Sequence, residues 1–428
     1  MSFENLGLSA PLVQALHEKG YREPSPIQLQ SIKAILKKID LMACAQTGTG
    51  KTAGFVLPIL ELLSMKIQKN TQPRALIIAP TRELAIQIHK SIMEYGKNLT
   101  LTSTSIYGGV KVGRQIKRLS DGVDILVATP GRLLDLYQQR AVQLNNVEML
   151  VLDEADRMLD MGFVHDIKKI ISRLPKKRQT LLFSATFSDD INKFAKGLLS
   201  NYEEIKIAPK VTSAASVQHK IHPVDKSKKF SLLIHLIQKN NWYQALTFIR
   251  TKHSANKLVK LLNQNNIRAL AIHGNISQLQ RVNALESFKQ GKIQILVATD
   301  IASRGIDIAG LSQVINFDLP NVPEDYVHRI GRTGRAGSSG QAISLVSAEE
   351  IKQLNDIEKI LKSPIKRETI EGFEPVHALP SRVKQGTSSK RKPERTEKNS
   401  FDNSFVRKKK GTFGLNGTKK NKKIKFAN

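Results

Sequence analysis

Ala45-Gln46-Thr47-Gly48-Thr49-Gly50-Lys51-Thr52 follows the apolar run Leu41-Met42-Ala43-Cys44 and precedes a stretch compatible with a helix. A glycine-bearing loop between strand and helix can wrap backbone N–H groups around a polyphosphate. Lys51 then supplies a point charge for the β- and γ-phosphates, and Thr52 a hydroxyl for Mg²⁺. The pattern departs from G-x-x-x-x-G-K-[ST] at one place, where Ala45 stands for the first glycine. That position needs only a small residue if its φ is negative. Further along, Asp153-Glu154-Ala155-Asp156 closes the apolar run Met149-Leu150-Val151-Leu152. Carboxylates at a strand tip can hold a metal ion and a water. Asp153 suits the Mg²⁺ shell, and Glu154 suits orienting and deprotonating the attacking water. The first segment binds a nucleotide; the two together can hydrolyse it.

Outward from these segments, short apolar runs alternate with helix-period stretches between about residues 25 and 205. Strands are expected at Ala75–Ala79, Ile125–Ala128, Met149–Leu152 and Thr180–Phe183, and amphipathic helices at Glu83–Tyr95 and Gly113–Leu119. This alternation predicts an α/β fold with a parallel sheet covered by helices, and ligands at the strand ends. Small and polar residues with Pro209 mark 206–218 as a linker. A second alternating block spans 219–365, with strands expected at Ala245–Ile249, Ala269–Ile272, Ile293–Ala298, Gln313–Phe317 and Gln341–Leu345, and no second phosphate loop. The organisation read from the sequence is therefore 1–205, the linker 206–218, 219–365 and a tail from 366 to 428.

The chain has 428 residues, enough for two or three domains, and a net charge of +30. A field of that sign draws polyanions, nucleic acid first. Residues 381–428 hold 16 Lys/Arg against 3 Asp/Glu, so +17 of the charge remains on the body. Such a tail cannot bury enough surface to offset chain entropy and is expected to be disordered. Its cations are interleaved with Phe401, Phe405, Phe413 and Phe426. Salt-sensitive phosphate contacts and base stacking suit that mixture. The single cysteine, Cys44, excludes a disulfide framework or thiolate metal site within the chain. No secretory signal opens the sequence and no apolar run reaches the length of a membrane span, so a cytoplasmic protein is expected.

Beyond the Asp-Glu-Ala-Asp tetrad, a series of ordered motifs resembles the DEAD-box ATP-dependent RNA helicases. Phe3 and Gly20-Tyr21-Arg22-Glu23-Pro24-Ser25-Pro26-Ile27-Gln28 resemble the family's adenine-recognition segment. Pro80-Thr81-Arg82-Glu83-Leu84-Ala85, Gly108-Gly109, Thr129-Pro130-Gly131-Arg132 and Ser184-Ala185-Thr186 follow in the family's order. The second block holds Phe248-Ile249-Arg250-Thr251, His273-Gly274, Gln280-Arg281, Ala298–Asp307 and His328–Arg335. The resemblance covers residues 1 to about 365. The wording of Asp160-Met161-Gly162-Phe163 and Asn316–Pro320 is similar to the bacterial RhlE-like subgroup.

The resemblance implies two RecA-like domains facing across a cleft, with ATP and Mg²⁺ as cofactors. It places Phe3, Tyr21, Gln28, Ala45, Gln46, Thr47, Gly48, Thr49, Gly50, Lys51, Thr52, Gly305 and Asp307 around the nucleotide. Gln28 carries a donor and an acceptor on one amide, which suits adenine, and Tyr21 can stack on a purine. Lys51, Asp153, Glu154, His328, Arg332 and Arg335 are the implied catalytic residues, the two arginines acting on the γ-phosphate from the second domain. Asp156, Ser184 and Thr186 would couple the domains. Pro80, Thr81, Arg82, Gly109, Thr129, Arg132, Arg250, Gly274, Arg281 and Thr299 would face RNA. Hydroxyls, guanidinium groups and bare backbone contact phosphates and 2′-OH, so binding should be blind to sequence. Ribosomal particles and RNA-decay machinery are candidate partner assemblies. An ATP-gated RNA clamp with little turnover and a DNA translocase are the competing readings; intact Glu154 and the paired arginines speak against the first, the adenine segment and the tetrad's context against the second.

Overall fold

The computed structural model describes residues 2–45, 48–66, 72–207, 217–300, 311–333 and 340–377. Two parallel seven-stranded sheets organise it, each flanked by helices. The first contains β1 (Leu41–Cys44), β2 (Ala75–Ile78), β3 (Ser103–Ile106), β4 (Ile125–Ala128), β5 (Met149–Leu152), β6 (Gln179–Ser184) and β7 (Glu203–Lys206), in the order β3-β4-β2-β5-β6-β1-β7. The second contains β8 (Val217–Pro223), β9 (Ala245–Phe248), β10 (Ala269–Ile272), β11 (Ile295–Ala298), β12 (Gln313–Asn316), β13 (Gly340–Val346) and β14 (Lys366–Arg367), in the order β10-β11-β9-β12-β13-β8-β14. These are the two RecA-like lobes.

Unbroken apolar runs make central strands because both faces of the sheet are covered. In β2, Ala75 and Ile77 pack with Ile27, Phe55, Val56 and Ile88 on one face, while Leu76 and Ile78 pack with Leu133, Leu136 and Ile167 on the other. The second sheet repeats the device, Ile295 and Val297 facing one core cluster and Leu296 and Ala298 another.

Parallel strands all point their C-terminal ends to one rim, where ligands bind in open α/β sheets. Ala45 follows β1, Thr81 lies past β2, Thr129 follows β4 and Asp153 follows β5. Arg250, Gly274 and Thr299 occupy the equivalent rim of the second sheet.

The expected boundaries shift at both ends of the second lobe. Lys206 belongs to β7 and Val217 opens β8, so strand pairing reaches into both ends of the 206–218 segment; 208–216 lie outside the described residues. Residues 366–377, read as the start of the tail, belong to the folded second lobe. β14 pairs with β8, Ile370 and Phe373 pack on the core, and the Glu368 carbonyl lies 2.7 Å from His222 Nδ1. The residues from 378 onward, including the expected disordered tail, lie outside the described residues. Among the described residues no helix is long and apolar enough to cross a membrane.

Candidate active site and nucleic-acid surface

The phosphate loop is shaped by φ values that side chains avoid. Gly50 has φ 93° and precedes the helix Lys51–Ser64, whose N-terminus is the expected anion seat. A Cβ at Gly50 would come within 2.3 Å of Gln28 Nε2. Gln28 is engaged at both ends of its amide: its Oε1 accepts from Ser25 N at 2.9 Å and its Nε2 donates to the Gly50 carbonyl at 3.2 Å. Ser25 Oγ donates to the Thr49 carbonyl at 2.8 Å. The amide expected to read adenine therefore braces the loop that ends at Gly50, which the sequence did not show. Tyr21 is partly exposed, its ring centroid 6.4 Å from that of Tyr95. Phe3, expected beside the nucleotide, is 1% exposed and lies in the core with Leu6, Leu12 and Ile35. Gln46 and Thr47 lie outside the described residues.

Lys51 is buried at the start of its helix, and its Nζ donates to the Ala45 carbonyl at 2.7 Å. Thr52 follows it, half-buried. Asp153 is buried at the tip of β5, where desolvation pushes its carboxyl up to about 7 while the Lys51 ammonium opposes the shift. Glu154 adopts φ 53° at the start of the helix Ala155–Asp160, a left-handed conformation unusual for glutamate. Its Oε2 accepts from Arg157 Nη1 at 2.9 Å. Asp156 turns the other way: one carboxylate oxygen accepts from Ala185 N at 3.0 Å and Thr186 N at 3.1 Å. The tetrad's last carboxylate thus joins its helix to the Ser184-Ala185-Thr186 segment.

From the second lobe, His328 and Arg332 line a small crevice together with Arg157 of the first. Asp300 and Arg329 also line it, joined by two hydrogen bonds of 2.7 Å. Gly305, Asp307 and Arg335 lie outside the described residues.

The residues expected to face RNA form two sets. In the first lobe, Thr81 caps the helix Arg82–Tyr95 with its Oγ1 accepting from Leu84 N at 3.3 Å, directly after Pro80. Gly109 has φ 80°, and a Cβ there would fall 1.9 Å from Arg82 Nη1, so glycine lets that guanidinium lie on bare backbone. Arg132 pairs with Asp135 at 3.3 Å, and Thr129 precedes their helix. In the second lobe, Gly274 has open space where a Cβ would stand, and Thr299 N donates to the Ile272 carbonyl at 3.1 Å. Arg250 Nη2 donates to Glu350 at 3.1 Å, and its backbone N to Asp318 at 2.9 Å. Arg281, expected to face RNA, pairs its guanidinium with Glu83 of the first lobe at 2.9 Å.

Residues 25–194 match the DEAD/DEAH box helicase family and residues 228–337 the helicase conserved C-terminal domain. The chain belongs to the DEAD/DEAH box helicase family. A relative named DEAD-box ATP-dependent RNA helicase CshA, from Geobacillus kaustophilus, is 43% identical over 366 residues, spanning 86% of this chain and 78% of that protein. The protein of the same name from Bacillus subtilis is 41% identical over 383 residues, 88% of this chain and 77% of that one. Among solved structures, S. cerevisiae Dbp5 bound to RNA and ADP BeF3 superposes with a TM-score of 0.74 at 30% identity, over 86% of this chain and 95% of that chain. A DEAD box protein from Methanococcus jannaschii gives 0.51 at 41% identity, over 86% and 99%. These bacterial relatives carry the name CshA, so the RhlE-like subgroup read from Asp160–Phe163 and Asn316–Pro320 is not supported.

Four residues of this DEAD-box chain escaped the sequence reading of the site. Glu83 holds Arg281, Arg157 holds Glu154, Glu350 holds Arg250 and Arg329 fixes Asp300. Glu83, Arg157 and Arg329 sit inside or beside recognised motifs, which was the available signal. Glu350 lies outside every motif, 100 residues from its arginine. Only the fold brings those two together.

Proposed function

We infer that this protein is an ATP-dependent RNA helicase that hydrolyses ATP in response to RNA and locally opens short duplexes or remodels RNA–protein complexes. The reading rests on family membership, on relatives named for that activity and on one geometric observation. Asp156 ties its helix to Ser184-Ala185-Thr186, while Arg157, the next residue, lines one crevice with His328 and Arg332 of the other lobe.

In this mechanism Lys51 and the N–H groups at the start of its helix hold the terminal phosphates, and Glu154 takes the proton of the attacking water. Arg332 and Arg335 stabilise the negative charge spreading over the γ-phosphoryl group, and Asp307 holds the ribose. The hard oxygen donors of Thr52 and Asp153 fit Mg²⁺, and the burial that raises the Asp153 pKa gives a divalent cation a penalty to relieve. Held there, Mg²⁺ would supply positive charge against the negative charge that develops on the phosphates. Thr81, Arg82, Gly109, Thr129, Arg132, Arg250, Gly274, Arg281 and Thr299 grip the sugar–phosphate backbone. Because each ligand touches both lobes, ATP and RNA tighten one another by linkage. The working units are the first lobe to residue 207 and the second from 217 to 377, acting in a reducing cytoplasm that keeps Cys44 a thiol.

The deciding measurement is ATP turnover with and without RNA or DNA of equal length, together with displacement of a short labelled strand. RNA stimulation with strand release supports the reading. DNA stimulation alone would favour a translocase, and tight RNA binding with no turnover a clamp.

A further inference from the structure

Away from the residues already discussed, a groove of about 600 Å³ runs along the second half of the helix Pro130–Gln138 and the helix Val164–Ile171. Its lining combines the cations Arg140, Lys169 and Arg173 with the carboxamides Gln138, Gln143 and Asn145, and contains no carboxylate. Asp135, on the same helix, is already paired with Arg132. Among the described residues, none of the groove's three cations makes an ion pair. The guanidinium carbon of Arg173 sits 5.8 Å from the centroid of the half-buried Tyr137 ring. An arginine backed by an aromatic ring is a stacking platform for an unpaired base. Arg140 ends the helix at φ 57°, where Arg140 N donates to the Tyr137 carbonyl at 3.0 Å and Ala141 N to the Leu136 carbonyl at 2.9 Å. Glycine usually takes such a turn, so arginine there carries a backbone cost that glycine avoids.

The helix itself connects this groove to the RNA face. Thr129 and Arg132 lie at its start and Tyr137 near its end. Its length of ~13 Å, at ~1.5 Å per residue, matches about four stacked base steps. We propose that this groove is a second RNA contact, holding phosphates and unpaired bases of the strand beyond the segment gripped at the strand ends of the two sheets. The proposal rests on the RNA helicase reading. It takes RNA rather than an acidic protein segment because carboxamides and a cation–aromatic stack add base edges and base faces to the charge match.

The test compares the full chain with its combined Arg140→Gln, Lys169→Gln, Arg173→Gln variant. All three side chains are exposed, and none belongs to the ATP site or to the RNA-gripping set above. Affinities are measured for a single strand of about 10 nucleotides and for one of about 30, across a salt series. The variant should bind the short strand within about twofold of wild type, with RNA-stimulated ATPase unchanged on it. On the long strand it should lose ~10-fold or more, and the slope of log K against log salt should fall by ~2, at ~0.7 per lost phosphate contact. Long RNA carrying 4-thiouridine should also crosslink to the peptide spanning 133–145 in wild type.

Unchanged long-strand binding, or equal losses at both lengths, overturns the groove. So does competition by polyglutamate for the long-strand increment as effective as that by RNA, which would mark a general acidic-segment site. Wild type that binds the short strand but gains nothing from length removes the groove alone. Wild type that binds neither length removes the helicase reading as well.

Discussion

Arg281 Nη2 lies 2.9 Å from a carboxylate oxygen of Glu83, and the two residues come from different lobes. Both side chains are about 90% buried, and Gln278 Nε2 reinforces the pair with a 3.2 Å bond to the same oxygen. Truncating one member of a buried pair leaves the other charge without a partner, which costs ~3–5 kcal/mol in well-buried cases. Glu83→Gln and Arg281→Gln should therefore each weaken the mutual tightening of nucleotide and RNA. The double variant should be little worse than either single one, with a coupling of ~1 kcal/mol or more. Additive losses in a double-mutant cycle on RNA affinity, taken with a non-hydrolysable nucleotide bound, would show that the pair does not act as a unit.

Glu154→Gln should retain ATP and RNA affinity while its turnover falls ~10²–10⁴-fold, the usual worth of a positioned base. Arg157, 2.9 Å from the carboxylate, would keep a hydrogen-bond partner in the amide oxygen. Normal turnover would remove Glu154 from the base role. Lys51→Ala should abolish nucleotide binding, read with a fluorescent nucleotide; unchanged affinity would refute the loop assignment.

Gly109→Ala should damage RNA binding selectively. The added methyl meets the Arg82 guanidinium at 1.9 Å in a φ 80° backbone, so both the side chain and the turn must shift. A cost of ~1–2 kcal/mol for the backbone alone corresponds to about tenfold in RNA affinity. Nucleotide affinity without RNA should stay as it was. An equal loss in both would mean that the first lobe had been deformed as a whole.

His222 links acidity to the anchoring of residues 366–377. Burial pushes its imidazole below the ordinary value near 6.5, and the hydrogen bond to the Glu368 carbonyl offsets only part of that shift. The unfolded chain therefore takes up the proton first. Stability is complete above about pH 6.5 and declines as pH falls toward the lower folded value. Chemical denaturation from about pH 8 to about pH 5 should show a loss on acidification that His222→Gln reduces. An identical pH dependence in the variant would assign the effect to other groups.

The central strands were legible because burial on both faces writes an unbroken apolar run. β4 and β5 match their expected limits. β3 (Ser103–Ile106), β7 and β14 went unseen, since a border strand pairs on one side only and here carries Ser, Thr, Glu, Lys and Arg in place of an unbroken apolar run. The motif residues were legible through their order along the chain. What each touches was not: Phe3 in the core, Gln28 on Gly50 and Glu83 on Arg281 depend on contacts between distant segments. A carboxamide that can read a base edge can equally brace a loop, and its composition is the same in both roles.

The outer strands of the sheets carry a consequence of their own. β7 presents Glu203, Glu204 and Lys206 to solvent with only Ile205 buried, and β14 is two residues long. Charged or very short borders deny a neighbouring chain the open ladder that would start intermolecular zippering. Those two borders are thus closed to the strand-by-strand growth that welds copies into aggregates.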